Sequence, residues 1–171
     1  MKTAPERGRA STETLDLACF DLAGQTYAVA IGKVREILVT PTVTPLPDAP
    51  PVIEGVLDLR GTLIPVVDLA QLLARDGQHG RGGAPRSRTF VVAVRDFVLG
   101  FRVERATRVA AVPVSSLEPV PELARELGCR VVAAAFRRPE GDPILVIDLE
   151  VLVDRVLSEP TARPRGEGVA A

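Results

Sequence analysis

Residues Gly55 to Leu69 read Gly-Val-Leu-Asp-Leu-Arg-Gly-Thr-Leu-Ile-Pro-Val-Val-Asp-Leu. Apolar runs at Val56–Leu59 and Leu63–Val67 flank Arg60-Gly61, the sequence form of two strands folded back through a glycine turn. Gly61 can take the positive φ that such a turn often needs, and Arg60 beside it is pushed into solvent with its planar fork of donors available. Pro65 has no N–H to give to a ladder, which predicts that the second arm lies at an edge or a barrel corner. Asp68 is placed as a helix N-cap. Leu69, Leu72 and Leu73 follow it at i, i+3, i+4, and Gln71 is spaced to complete a capping box.

Upstream, Leu15–Leu22 and Thr26–Ile31 read as strands joined by Ala23-Gly24-Gln25, with Tyr27, Val29 and Ile31 on one face and only Ala28 and Ala30 on the other. Val34, Ile37 and Leu38 fall at i, i+3, i+4 and predict one helical turn before an extended stretch to Val43. Downstream, Ala74 to Arg88 carries four glycines and four arginines without an apolar period and reads as a linker. Strands are predicted at Thr89–Val94, Phe97–Val103, Thr107–Val114, Val131–Phe136 and Ile144–Ile147. A helix over about Pro121–Leu127 has Leu123 and Leu127 at i, i+4, and Asp148 opens a final helix.

The halves form a weak internal repeat. Tyr27–Ile31 answers to Phe97–Phe101, and Ile64-Pro-Val-Val-Asp-Leu69 answers to Ile144-Leu-Val-Ile-Asp-Leu149, so the offset grows from 70 to 80 residues. The predicted helix at Pro121–Leu127 supplies much of the added length. Five short strands bury an apolar face by curling into a small barrel, which predicts a mainly β protein of two packed barrels with a few short helices. The first barrel spans about 15–73 and the second about 89–157. Polar segments 1–14 and 158–171 are expected to be mobile tails.

Composition narrows the function. The 171 residues are 46% hydrophobic with no Trp, one Tyr and five Phe, so aliphatic side chains must supply most of the core. A formal net charge of -1 provides no global attraction for nucleic acid or an anionic membrane. No apolar run reaches the length of a membrane span and Met1–Arg7 lacks the apolar block of a signal peptide, so the expected location is the cytoplasm, without membrane insertion. Cys19 and Cys129 lack metal spacing and read as free, mostly buried thiols.

Candidate chemistry is sparse. The one histidine, His79, sits among linker glycines, and Asp68 and Asp148 occupy equivalent helix starts where capping accounts for both. Gly80-Arg-Gly-Gly83 follows no apolar strand and opens no helix, so it is not a phosphate loop. No catalytic, cofactor-binding or metal-ligating residue is assigned. A nucleic-acid reading would rest on Arg81, Arg86 and Arg88 but lacks the aromatic platforms that single strands stack on. A protein-binding module remains, with Arg60 and its apolar neighbours as a favoured interface composition.

Gly55-Val-Leu-Asp-Leu-Arg-Gly61 with Ile64–Leu69 resembles the signature of the CheW-like domain family, the coupling proteins of bacterial chemotaxis. The resemblance extends through Phe20–Gly24, Tyr27–Ile31, Val34–Ile37, Phe90–Val94, Gly100 and Ile144–Leu149. It implies two intertwined five-stranded barrels resembling SH3 domains, and an adaptor without catalytic activity or cofactor. The implied partners are the helical-hairpin tip of methyl-accepting chemoreceptors and the regulatory domain of a CheA-type histidine kinase. By position in the family's motifs, Val34, Glu36, Gly55, Arg60 and Gly61 correspond to receptor or kinase contacts. Departures stand out against the same motifs. Asp58 stands where the family usually has asparagine, and Arg102, Glu104 and Ala106 replace an apolar residue, an aspartate and a valine. The strand at Val131 lacks a preceding glycine. Asp58 would either pair with Arg60, two residues away, or alter partner choice, and together the changes imply an adaptor of a chemosensory pathway other than flagellar swimming, such as surface motility or gene regulation.

Overall fold

The computed structural model describes residues 13–39, 41–73, 86–126 and 129–160. Among these described residues eleven strands and three short helices follow one another: β1 (Thr14–Leu22), β2 (Gln25–Ala30), β3 (Val34–Val39), β4 (Ile53–Leu59), β5 (Thr62–Val67), α1 (Leu69–Leu73), β6 (Arg88–Val94), β7 (Phe97–Val103), β8 (Arg105–Pro113), β9 (Leu117–Pro119), α2 (Glu122–Glu126), β10 (Val132–Phe136), β11 (Ile144–Ile147) and α3 (Leu149–Ser158). They form two sheets, one of six strands in the order β8-β1-β2-β11-β10-β9 and one of five in the order β3-β6-β7-β5-β4. In the six-stranded sheet the two edge strands are joined by only three residues, Val114–Ser116. Pro113 and Leu117 therefore lie at most about 15 Å apart, whereas the edges of six flat strands would be separated by about 24 Å. The sheet has to curl.

The two sheets are intertwined, as the family resemblance implied, so the contiguous bounds 15–73 and 89–157 do not delimit them. Each half lends its first hairpin to the other: β1–β2 enters the sheet of the second half and β6–β7 that of the first. The joints are parallel, β2 against β11 through Leu145–Tyr27 and Val146–Ala28, and β5 against β7 through Val66–Gly100 and Val67–Phe101. These pairings also correct the repeat. The hairpin turns align Leu22–Gln25 with Val94–Phe97, so the early strands are offset by 72 residues, not 70. A slip of two residues preserves which side chains face the core, so alternation in sequence could not expose it. With that register even the bulges coincide, at Val34/Glu36 beside β6 and at Cys19/Phe20 beside β8.

Three apolar clusters result. Leu57, Ile64, Val66 and Val91 fill the five-stranded sheet, and Leu17, Cys19, Ala28, Val112, Ile144 and Val146 fill the six-stranded one. The largest lies between the sheets, centred on Phe20, Phe90 and Phe101, whose rings meet at 5.3–5.5 Å. Three of the five phenylalanines thus hold the exchanged hairpins together. Cys19 is buried and Cys129 half-buried.

Several local expectations change. Val34–Val39 is a strand and not a helical turn; a single 3-10 turn, Ile31–Lys33, precedes it. The alternating burial of Val34, Glu36 and Leu38 against exposed Arg35, Ile37 and Val39 is a strand's period of two. β5 is not an edge strand, since β7 and β4 flank it. Pro65 is tolerated because it faces Val56, whose own N–H and carbonyl turn away to Thr44 at 2.8 and 2.7 Å, and because pairing with β7 begins only at Val66. β9 escaped the sequence reading, being three residues long. In α2, Leu123 is 67% exposed and not core-facing. Both aspartate caps form: Asp68 Oδ1 accepts from Gln71 N at 3.0 Å, and Asp148 Oδ1 accepts from Glu150 N at 2.9 Å and Val151 N at 3.2 Å. The reciprocal half of the capping box is absent, because Asp68 N donates to the Val52 carbonyl. Of the expected tails, Thr14 opens β1 and Ser158 ends α3, while residues 1–12 and 161–171, like His79 and Gly80–Gly83 with Arg81, lie outside the described residues.

Candidate functional site

The hairpin β4–β5 turns in two residues. Arg60 and Gly61 have φ of 52° and 83°, positive at both central positions as in the type I′ turns that match strand twist. Positive φ is costly for a side chain such as arginine, so this conformation is held by its surroundings. Asp58 does not pair with Arg60: its Oδ1 accepts from Gly61 N at 2.7 Å, closing the turn, and Arg60 Nη2 donates instead to Glu36 Oε1 at 3.2 Å. Glu36 lies on the inward side of β3 with Leu38, which packs into the core of the five-stranded sheet. The arginine therefore lies across one end of that sheet, its side chain 78% exposed and its partner's 31%. A pair this exposed adds little to stability, of order 0–1 kcal/mol, and its orientation is what matters.

Of the six residues singled out in the sequence, Glu36, Asp58, Arg60 and Gly61 gather at this tip. Val34 lies two residues from Glu36 on β3, half-buried and packed against the inter-sheet core. Gly55 is buried away from the tip. A Cβ there would stand 2.1 Å from the Thr44 carbonyl oxygen, so the backbone approach it permits is intramolecular. The sequence named apolar neighbours of Arg60 without saying which are exposed: Leu63, beside the turn, is 67% exposed, and Val39, at the far end of β3, is 68% exposed. Alternation along β3 and β5 carried the signal, but the helical reading of Val34, Ile37 and Leu38 concealed it on β3.

The remaining unusual residues are tied down within the protein. Arg102 pairs with Glu54 at 3.1 Å, both side chains less than one-third exposed, and burial pushes the Glu54 carboxyl above its usual range while the Arg102 charge opposes that shift. Glu104 Oε1 accepts from Ala23 N at 3.1 Å. Arg88, in β6, donates to the carbonyls of Arg86 and Ser87 and does not present a basic stripe. A groove of about 870 Å³ between α2 and α3 is lined by charges of both signs, among them Glu122, Arg125, Arg130 and Arg155. Among the described residues no group of three or more His, Cys, Asp or Glu is placed to hold a metal ion.

Two sheets that exchange hairpins, with an arginine displayed at one hairpin tip, define a mainly β protein of two intertwined halves. The comparisons make this specific: a profile of the CheW-like domain family matches residues 16–157, and the chain belongs to that family. It is similar to the probable chemotaxis protein CheW of Rhizobium etli, 31% identical over 144 residues covering 84% of this chain and 90% of that protein. Protein FrzA of Myxococcus xanthus is 32% identical over 120 residues, covering 69% of this chain and 73% of its own. Among solved structures, the scaffolding protein TtCheW of Thermoanaerobacter tengcongensis superposes with a TM-score of 0.69 at 26% identity, covering 80% of this chain and 90% of that one. No helix among the described residues is long and apolar enough to cross a membrane.

Proposed function

We propose that this protein is a cytoplasmic adaptor that couples the helical tip of a methyl-accepting chemoreceptor to the regulatory domain of a CheA-type histidine kinase, acting by position and not by catalysis. Its relatives carry the names of chemotaxis proteins and of a scaffold, and they align over most of their length. The observation that carries the reading is the Arg60–Glu36 pair, two residues 24 apart in sequence brought together at one exposed tip. A guanidinium already aligned by a carboxylate has less freedom to lose when a partner arrives, which favours its use as an anchor. Val34 and Gly61 belong to the same contact region in this reading, Asp58 is a contact residue beside it, and Gly55 supports the hairpin from below.

Calorimetric titration of a chemoreceptor tip fragment and of the kinase regulatory domain tests the assignment. Loss of a central interface arginine costs on the order of 2 kcal/mol, so Arg60→Ala is expected to weaken at least one of the two by roughly 30-fold. Wild-type affinity for both would overturn the role given to the turn. Kinase autophosphorylation in the presence of receptor, with and without the protein, then checks coupling itself.

A further inference from the structure

Asp58 is the departure from the family pattern that the fold does not neutralise. The type I′ geometry sends Arg60 to Glu36, and Asp58 spends one oxygen on Gly61 N. Its other oxygen has no partner among the described residues, and the side chain is exposed. Cross-strand register places Asp58 opposite Leu63 and Val56 opposite Pro65. These four share the outer face of the hairpin, while Leu57, Leu59, Ile64 and Val66 face the core. Leu63 is 67% exposed and Pro65 is exposed beside it, so the face is an apolar stripe that ends in a carboxylate.

We infer that this outer face is a second contact surface of the hairpin, separate from the Arg60–Glu36 pair, and that it takes an amphipathic helix carrying a Lys or Arg one turn from its apolar stripe. The inference rests on the adaptor reading and names the helical receptor tip as the occupant. An added strand finds little free edge: β5 is flanked on both sides and, on the outer side of β4, the Val56 backbone is already bonded to Thr44, so side chains are most of what is on offer. The spacing suits a helix. Residues two apart on a strand are separated by about 7 Å, and residues four apart on a helix by about 6 Å, so an apolar residue over Val56 and Pro65 brings a basic one over Asp58, beside Leu63. Asparagine at this position would close the turn equally well through its amide oxygen and would not select for the cation; aspartate does both.

The experiment compares wild type, Asp58→Asn, Asp58→Lys, Leu63→Ser and Arg60→Ala, titrated with the chemoreceptor tip fragment and with the kinase regulatory domain at low and high salt. Asp58→Asn keeps the cap on Gly61 N and removes only the charge. It is expected to weaken receptor binding roughly fivefold at low salt and to flatten the salt dependence, with a loss of roughly tenfold or more for Asp58→Lys and for Leu63→Ser. Unchanged circular dichroism and melting confirm that the variants fold. Receptor affinity and salt slope unaltered by Asp58→Asn, with Arg60→Ala still weakened, overturn this inference and leave the adaptor reading standing. A loss confined to the kinase domain overturns the helical occupant. If Arg60→Ala is also without effect, or wild type binds neither fragment, the adaptor reading fails as well.

Discussion

The hairpin β4–β5 and its counterpart β10–β11 are the same object built twice, and they differ where it matters. Both place a bulge at the same step, Ile53/Gly55 against Val132/Ala134, and both end in an aspartate that caps a helix. The flanking segments also correspond: Thr44 bridges Val56 as Glu118 in β9 pairs with Ala135. The tips do not. The first hairpin turns through Arg60-Gly61, whereas the second needs the seven residues Arg137–Pro143, in which Arg138 donates to the Asp142 carbonyl at 3.0 and 2.7 Å and so folds the loop on itself. What the copies share serves to curl a sheet. The compact tip, which presents one arginine and one uncommitted carboxylate oxygen, belongs to the first copy alone.

The largest expected effect tests the bulge. Gly55→Ala drives a methyl into the Thr44 carbonyl, where backbone has to move, and is expected to cost more than about 3 kcal/mol. Its counterpart change, Ala134→Gly, should cost about 1 kcal/mol or less. Urea denaturation of both variants checks this, and equal losses would break the correspondence between the two bulges.

The next concerns a pair that the first sheet has and the second lacks. The positions equivalent to Glu54 and Arg102 are Ala133 and Ala30. Burial raises the Glu54 carboxyl above its ordinary value of 4.5, so the folded protein binds that proton more tightly than the unfolded chain does. The stabilisation from this group is complete below the ordinary value and is lost as pH rises through the raised one. Arg102→Leu removes the charge that opposes the shift, so Glu54 should titrate at higher pH still, with about 1 kcal/mol less stability at neutral pH. NMR titration of the carboxyl carbon, together with melting between pH 4 and pH 8, follows both; an unmoved titration would show that the pair is not formed in solution.

The smallest effect separates presentation from support. Arg60→Asn relieves positive φ at a position where asparagine is favoured and removes an exposed ion pair, two changes of opposite sign and similar size. Stability is expected to stay within about 0.5 kcal/mol of wild type while partner binding falls. A loss beyond about 1 kcal/mol would mean that Arg60 holds the hairpin together and is not simply displayed by it.

Much of this was legible in residues 55–69. Alternation, the Arg-Gly turn and the aspartate start of α1 are local signals, read from neighbours a few positions apart, and strand, turn and cap followed from them. The repeat was visible for the same reason. The exchange of hairpins between the halves came only through the family resemblance, as intertwined barrels, and not from the residue pattern, because the residues that create it, such as Val66 against Gly100, meet only after some thirty intervening positions have been folded away. Nor was the register legible, since a slip of two leaves the pattern intact, or the strand at Val34–Val39, where three apolar residues satisfied a helical spacing by coincidence.

The sequence by itself determined the elements and the charged turn, because backbone preference and side-chain alternation act over the span of one hairpin. Only the tertiary structure decided that Arg60 turns toward Glu36, that Gly55 serves Thr44, and that Asp58 keeps an oxygen free. Each of these depends on which strands are brought alongside, and that choice is made by burying Phe20, Phe90 and Phe101 between two sheets drawn from both halves of the chain.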